Sequence, residues 1–385
     1  MTLFIVYFLC LIINVMDNSI FFSHLRALIC LIILSTSSIY AQNSIVVDEL
    51  DCTAIAAATV FDAGGKILGI TGLDGTITGI PSNGYPLTVK SMGYEPQIVP
   101  AASDSIKMIA QPFDLDELIV VNGDRNILHL TCYIREYTTI TQNPDTVVAF
   151  NEHMADMLIP RHKESNIKAM LSPRLLSSRR YINTKTAEID SVSSTDSIFS
   201  YINGIQLDTI TRIEPKSFMT MNKEVKVDSL KGRYYTKEVY YKTPNAYTIT
   251  TDGLSNFKKH KFSPWIFKLF GATIDFTKSY SSIIYYPSEK GIYRIEDMKC
   301  CSSTFDMTLR GKLFKRKSKT KSPVDCKFLY EIYIVDKKFI TSETADDLLN
   351  EPPVNVAFEI PTTAPELDDN TKKLIQRVNA QKTID

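Results

Sequence analysis

Ala58-Thr59-Val60-Phe61, Asp62-Ala63-Gly64-Gly65, Lys66 to Thr71, Gly72-Leu73-Asp74-Gly75 and Thr76 to Ile80 follow one another without interruption. Short β-branched runs alternate here with turns built from Gly and Asp, residues that tolerate the backbone angles a tight reversal demands. Three strands joined by two hairpin turns are the direct reading. The pattern continues outward. Pro81-Ser82-Asn83-Gly84 is a further turn, and Leu87 to Met92 alternates, with Leu87, Val89 and Ser91 on one side of the pleat. Ser105 to Ala110 and Glu117 to Val121 close the series. Turn signals every 8–12 residues between short strands describe a small β-sandwich.

Upstream, residues 1–41 read as a segment outside the fold. Arg26 supplies a positive charge, Ala27 to Leu34 an apolar stretch, and Ser35 to Ala41 a run rich in small residues. That is the anatomy of a signal peptide, with cleavage after Ala41 and Gln42 as the new terminus. An earlier apolar run, Leu3 to Ile13, is surplus to such a leader, and Met16 is the start that fits residues 16–41. Both runs are shorter than the about 20 residues that cross a bilayer as a helix, and Asp17 and Asn18 separate them, which weighs against a membrane anchor.

Of the seven cysteines, Cys10 and Cys30 fall in the leader, leaving Cys52, Cys132, Cys300, Cys301 and Cys326. An odd number leaves at least one unpaired thiol. Cys300 or Cys301 bridged to Cys326 across a hairpin is one arrangement; buried free thiols, in a chain too large to need staples, are the other.

The residues from Ala58 through Thr71, Gly72-Leu73-Asp74-Gly75, Leu87-Thr88-Val89, the Met92-Gly93-Tyr94 corner and Leu115 to Val121 together resemble the carboxypeptidase-regulatory-like domain. The resemblance covers residues 45–121. It implies an immunoglobulin- or prealbumin-like sandwich, and an envelope setting of the kind this module has in Bacteroidetes, where it precedes outer-membrane receptors. One departure is the short opening strand, Ile45 to Asp48. The resemblance implies no peptidase activity, because function resides in sites.

Residues 122–365 read as a larger β-rich α+β region, and 366–385 as a terminal helix and tail. The fold class expected is therefore mainly β. Tyrosines concentrate between Tyr234 and Tyr293, and aromatic residues suit a pleated, half-buried surface. Ser282 to Tyr286, Pro287 to Gly291 and Ile292 to Ile295 read as a hairpin; Phe328, Tyr330, Ile332 and Ile334 mark one face of another strand. Asp145–Met157 and Ser165–Ser177 suit helices, and Asp190 to Ser200 an exposed loop. From Leu367 a helix starts near Asp368 or Asp369, with Leu374, Ile375 and Val378 on one face.

Composition bounds the chemistry. Hydrophobic residues at 44% and charged residues at 22% describe a chain that folds. Lys+Arg 43 against Asp+Glu 43 argues against a nucleic-acid binder. No His is followed by Glu in a His-x-x-Glu pair, and no Gly-x-Ser-x-Gly elbow or phosphate loop is present. His153 and Asp156 would share a helical face, a weak metal signal without a third ligand. Neither a cofactor nor a catalytic residue is assigned.

Charge is nonetheless segregated. Arg310, Lys312, Lys315, Arg316, Lys317, Lys319 and Lys321 form a basic run without an acid, and Glu343 to Asp369 an acidic one. The basic run suits anionic lipid headgroups at an outer-membrane surface, or acidic glycans. A solvated loop that repels aggregation is the preferred reading of the run, and pairing with the acidic stretch is a third, weak if exposed. Trp265, among Phe262, Phe267 and Phe270, suits a glycan-stacking platform or a core cluster. The sequence therefore points to an exported binding or scaffold component with an envelope protein or glycan as partner. The rival is a glycan- or peptide-directed hydrolase, or its accessory subunit, whose site is assembled from residues distant in sequence.

Overall fold

The computed structural model describes residues 42–111, 125–142, 145–160, 174–183, 227–231, 237–242, 246–254, 261–262, 271–286, 295–311, 323–352 and 356–382. The expected leader, the strand Glu117 to Val121 and the loop Asp190 to Ser200 lie outside these residues. From Asn43 onward the chain is one compact unit. It is mainly β.

The N-terminal turns and strands build a two-sheet sandwich. Its strands are β1 (Gln42–Asp48), β2 (Thr59–Phe61), β3 (Ile67–Ile70), β4 (Thr76–Ile80), β5 (Leu87–Lys90), β6 (Gln97–Val99) and β7 (Ser105–Met108). One sheet runs β4-β1-β7 and the other β3-β2-β5-β6. Val46, Val60, Ile77, Leu87, Val89 and Met108 fill the space between them. The opening strand is longer than Ile45 to Asp48 suggests: it starts at Gln42 and pairs in parallel with β7 through Ile45 to Asp48.

Within the sandwich Gly75 is the tightest glycine. Its φ of +72° is left-handed, and a Cβ there would sit 2.7 Å from the Val46 carbonyl oxygen and 3.0 Å from the Ala54 Cβ. The close approach serves the fold, since Val46 donates its N–H to the Gly75 carbonyl at 2.9 Å. At the Gly93-Tyr94 corner, the Tyr94 hydroxyl donates to Asp48 at 3.1 Å and ties β1 down.

The remaining strands form one ten-stranded antiparallel sheet. They are β8 (Ile127–Gln142), β9 (Asp145–Pro160), β10 (Arg174–Asn183), β11 (Val227–Lys231), β12 (Lys237–Lys242), β13 (Tyr247–Asp252), β14 (Lys261–Phe262), β15 (Thr273–Tyr285), β16 (Met298–Arg310) and β17 (Val324–Ile340). Their order is β10-β9-β8-β17-β16-β15-β13-β12-β11, with β14 beside β15. Helices α1 (Ser342–Asn350) and α2 (Asp369–Lys382) follow.

Two expected helices are corrected. Asp145–Met157 lies within β9, which pairs with β8 from Asp145 to Pro160. Residues 146–158 are buried nearly throughout, so the apolar positions show no clean period of two, and a strand buried on both faces passes for a helix. Of Ser165–Ser177, residues 174–177 belong to β10 and the rest lie outside the described residues. Of the Ser282 hairpin, Ser282 to Tyr285 lies in β15, which pairs with β16, and Ile295 belongs to a 3-10 turn, Ile295–Asp297; residues 287–294 lie outside the described residues.

Both faces of the large sheet are buried. Phe328, Tyr330 and Ile332 of β17 point to one side, while Leu329, Glu331 and Tyr333 point to the other. The sandwich lies on the second side, with Phe61 and Ile67 packed against Tyr137, Val148 and Phe150. Thr139 accepts the Ile67 N–H at 2.8 Å, and the Lys278 ammonium donates to the Ile70 carbonyl. Ala57 and Ile70 meet Tyr280 farther along.

Among the described residues Cys52, Cys132, Cys300, Cys301 and Cys326 are free thiols. Register accounts for the absent bridge: Cys301 pairs with Ile332, whereas Cys326 pairs with Met307, six positions along the same ladder. At about 3.4 Å per residue that separation is far beyond disulfide reach. Burial pushes the Cys301 thiol up to about 12, leaving it protonated and inert at neutral pH.

Gly75→Ala is expected to cost at least about 2 kcal/mol, combining left-handed strain with the clash against β1. Ala57, also left-handed at φ 59°, is expected to gain roughly 0.5–1 kcal/mol on Ala57→Gly. Urea unfolding of the two variants checks both signs.

Candidate functional site

Charged groups accumulate where the sandwich, the large sheet and the C-terminal segment meet. On β5, Leu87 and Val89 enter the sandwich core, so alternation turns Thr88 and Lys90 toward the sheet. On β8, the same rule turns Tyr133, Arg135 and Tyr137 to the sandwich side, and on β17 it turns Glu331 and Tyr333 there. Lys90, Arg135 and Glu331 are each at most 5% exposed. Burial at that depth is expensive for a charge unless partners compensate it.

The partners come from the C-terminal segment. Lys90 pairs with Asp368, and its ammonium stands 3.9 Å from the Tyr137 ring centre and 5.3 Å from that of Phe61. Asp368 also caps α2, accepting the Asn370 and Thr371 N–H groups at 3.0 Å each and the Thr371 hydroxyl at 2.7 Å. Asn370 reaches back to the sandwich, donating to Thr88 Oγ1 at 2.9 Å. Arg135 lies beside the stacked Tyr133 and Tyr333 rings, 5.2 and 5.6 Å from their centres, and donates from Nη1 to the Pro365 carbonyl at 2.7 Å. Its Nε donates to the Tyr133 oxygen at 3.2 Å, and the Tyr133 hydroxyl donates onward to Glu152.

Protonation follows from these contacts. Burial alone would raise Asp368, but the Lys90 ammonium and the Thr371 hydrogen bonds hold its carboxyl down at about 2. Burial pulls Lys90 below its usual value against the pull of Asp368 and Glu331. Two carboxylates and two ring faces surround the ammonium, and these favour its charged form. Glu331 is raised, chiefly by burial, with Lys90 and Arg135 opposing. The openings beside these groups are about 10 Å³ each, room for about one water.

The opposite face carries a second polar feature. Asn151, Glu136, Tyr330, Ser303, Ser281 and Thr251 are direct partners on six successive strands from β9 to β13. This row separates an apolar cluster around Ile134, Ile332 and Ile283 from one around Phe305, Met307 and Phe328. Glu136 accepts from Asn151 at 3.2 Å and lies 3.2 Å from His153 Nε2. A one-residue slip of any strand would break the row, so it fixes register.

His153 and Asp156, expected on one helical face, are separated. His153 pairs with Glu136, whereas Asp156 projects to the other side of β9 and pairs with His129 at 3.4 Å. Among the described residues no group of three or more metal-ligating side chains converges. Arg310 ends β16 and pairs with Asp275 at 3.3 Å, largely exposed. Lys312, Lys315, Arg316, Lys317, Lys319, Lys321 and Trp265 lie outside the described residues. Sequence reasoning missed Lys90, Arg135 and Glu331. The available signal was a charge set mid-strand between apolar neighbours, as in Tyr330-Glu331-Ile332.

No family model and no curated protein matches this chain. Among solved structures, a chain described as lipid-protein interactions in lipovitellin matches with a TM-score of 0.26 and 8% identity. The match covers 62% of this chain and about a quarter (26%) of that one. At this level the similarity extends to neither fold nor function.

Breaking the buried pair from either side is expected to be costly. Lys90→Met or Asp368→Leu alone should lose about 3–5 kcal/mol, and the double variant should recover most of it. Urea midpoints of the four proteins at pH 7 check this. The Asp368 contribution is present above its ordinary value of about 3.9 and disappears as pH falls toward about 2. Acid unfolding followed by circular dichroism should therefore be flatter across that interval in Asp368→Asn.

Proposed function

We propose that this chain is an exported, envelope-associated component that works by binding or scaffolding rather than by catalysis, with a carboxypeptidase-regulatory-like module as its sandwich. The observation that carries the reading is the use made of its buried charges. Lys90, Arg135 and Asp368 join one element to another, with Glu331 close enough to feel Lys90 and Arg135, and the spaces beside them admit about one water. A sandwich fixed rigidly to a broad sheet presents a large surface in a defined orientation, which is what a scaffold requires. The leader pattern of Arg26, Ala27 to Leu34 and Ser35 to Ala41 supports export. The basic run from Arg310 to Lys321 and the ring of Trp265 are the proposed contacts to an anionic envelope surface and to glycan.

A hydrolase reading draws on the two imidazole–carboxylate pairs, His153 with Glu136 and His129 with Asp156. Such pairs orient a general base. Both imidazoles are buried within the sheet, at 9% and 7% exposure, which favours the structural role.

Fractionation of producing cells, with N-terminal sequencing of the recovered protein, tests the proposal. Gln42 as first residue in the envelope fraction is the expected result. Recovery from the cytosol with residues 1–41 attached would contradict it. Vesicles containing anionic lipid should retain the protein at low salt and release it at about 0.5 M salt.

A further inference from the structure

Residues 356–382 keep their place mainly through side-chain contacts. Among the described residues the segment adds no strand to any of the three sheets, so no backbone ladder anchors it. It is fixed by side chains instead. Ser177 of β10 bonds both the carbonyl and the N–H of Val356, the latter at 3.0 Å. Arg179 stacks on the Phe358 ring at 4.0 Å, and Arg135 takes the Pro365 carbonyl. Lys90 takes Asp368, and Leu374 with Val378 closes over Phe150 and Val148.

The seat is thus a groove with two walls, β5 of the sandwich and the β10-β9-β8-β17 part of the sheet, and charge-matched points along it. Its specificity is high because each buried charge finds its partner only in this register. Its apolar anchoring is modest: Leu374 and Val378 are buried, Val356, Phe358, Ala364, Leu367 and Ile375 only partly so, and a buried ion pair adds selectivity more than net stability. A terminal segment without ladder bonds can leave such a seat without unzipping a sheet. Nothing in the contacts requires that seat and segment belong to the same copy.

We propose that residues 356–382 are an exchangeable clasp, and that the groove holding Asp368 on Lys90 accepts the same segment from a second copy of this chain. Exchange leaves every contact intact and places two copies side by side. It stays rare while the tethered segment competes at high effective concentration, and becomes favourable where copies are crowded. The proposal stands apart from the export reading and does not need it.

Charge reversal tests exchange with the full chain. In Lys90→Asp alone and in Asp368→Lys alone, the internal pair becomes like-charged. Between the two variants, both exchanged pairs are of opposite charge. Each variant alone should be monomeric, with residues 356–382 open to protease. Mixed one to one they should form a heterodimer by light scattering and regain protection. A mixture that stays monomeric, while the chain carrying both substitutions protects the segment, would overturn the proposal.

A peptide of residues 353–385 offers a second route that does not depend on either variant folding. Labelled peptide incubated with wild-type chain should bind, and peptide carrying Asp368→Asn should bind about tenfold or more weakly. No binding up to about 1 mM peptide, the range of effective concentration a tether supplies, would equally overturn it.

Discussion

The structure turns on the desolvated contact between Lys90 and Asp368. Lys90 belongs to the sandwich, Asp368 to the C-terminal segment, and the Tyr137 ring beneath them to the large sheet. Three parts of the chain far apart in sequence therefore meet at one ion pair. Each charge would lose its nearest opposite charge without the other, leaving Lys90 with Glu331 and the two rings, and Asp368 with the Asn370 and Thr371 hydrogen bonds. The pair makes the junction specific. Apolar contacts such as Phe61 on Tyr137 and Ile67 beside Val148 supply the bulk of its adhesion.

A sheet covered on one side by the sandwich and buried on the other has to specify register without help from solvent. The row from Asn151 to Thr251 does this on the face away from the sandwich, since Glu136 finds Asn151 and His153 in a single alignment. The charged residues of the sandwich face do it on the other, where Arg135 and Glu331 are themselves direct cross-strand partners. Polar groups buried in this way contribute little net stability and much selectivity. The same property lets the C-terminal segment be both correctly placed and removable.

The sandwich was legible because its turns are chemical: Asp62 to Gly65 and Gly72 to Gly75 announce reversals that the structure places where the residues do. The helix at Asp368 was legible for a similar reason, a capping side chain before a Leu374, Ile375, Val378 stripe. The large sheet was harder. Strands such as β9 are buried on both faces, so Val147, Val148 and Phe150 give no alternation, and a helical reading of Asp145–Met157 fits as well as a strand until β8 is beside it. The buried charges could not be located at all from one sequence. Lys90 and Asp368 are 278 residues apart in numbering, and only the packing of sandwich on sheet creates the need for their pairing. The separation of His153 from Asp156 has the same origin, because the pleat of β9 sends them to opposite faces.

The most direct test of this arrangement is the ionisation of Asp368 itself. Carbon-13 NMR of its side-chain carboxyl, assigned by comparison with Asp368→Asn and followed from neutral pH into acid, reports whether Lys90 is beside it. A midpoint near 2 is the result the buried pair demands. A midpoint at the ordinary aspartate value of about 3.9 would mean a solvated carboxyl, and the junction described above would not exist.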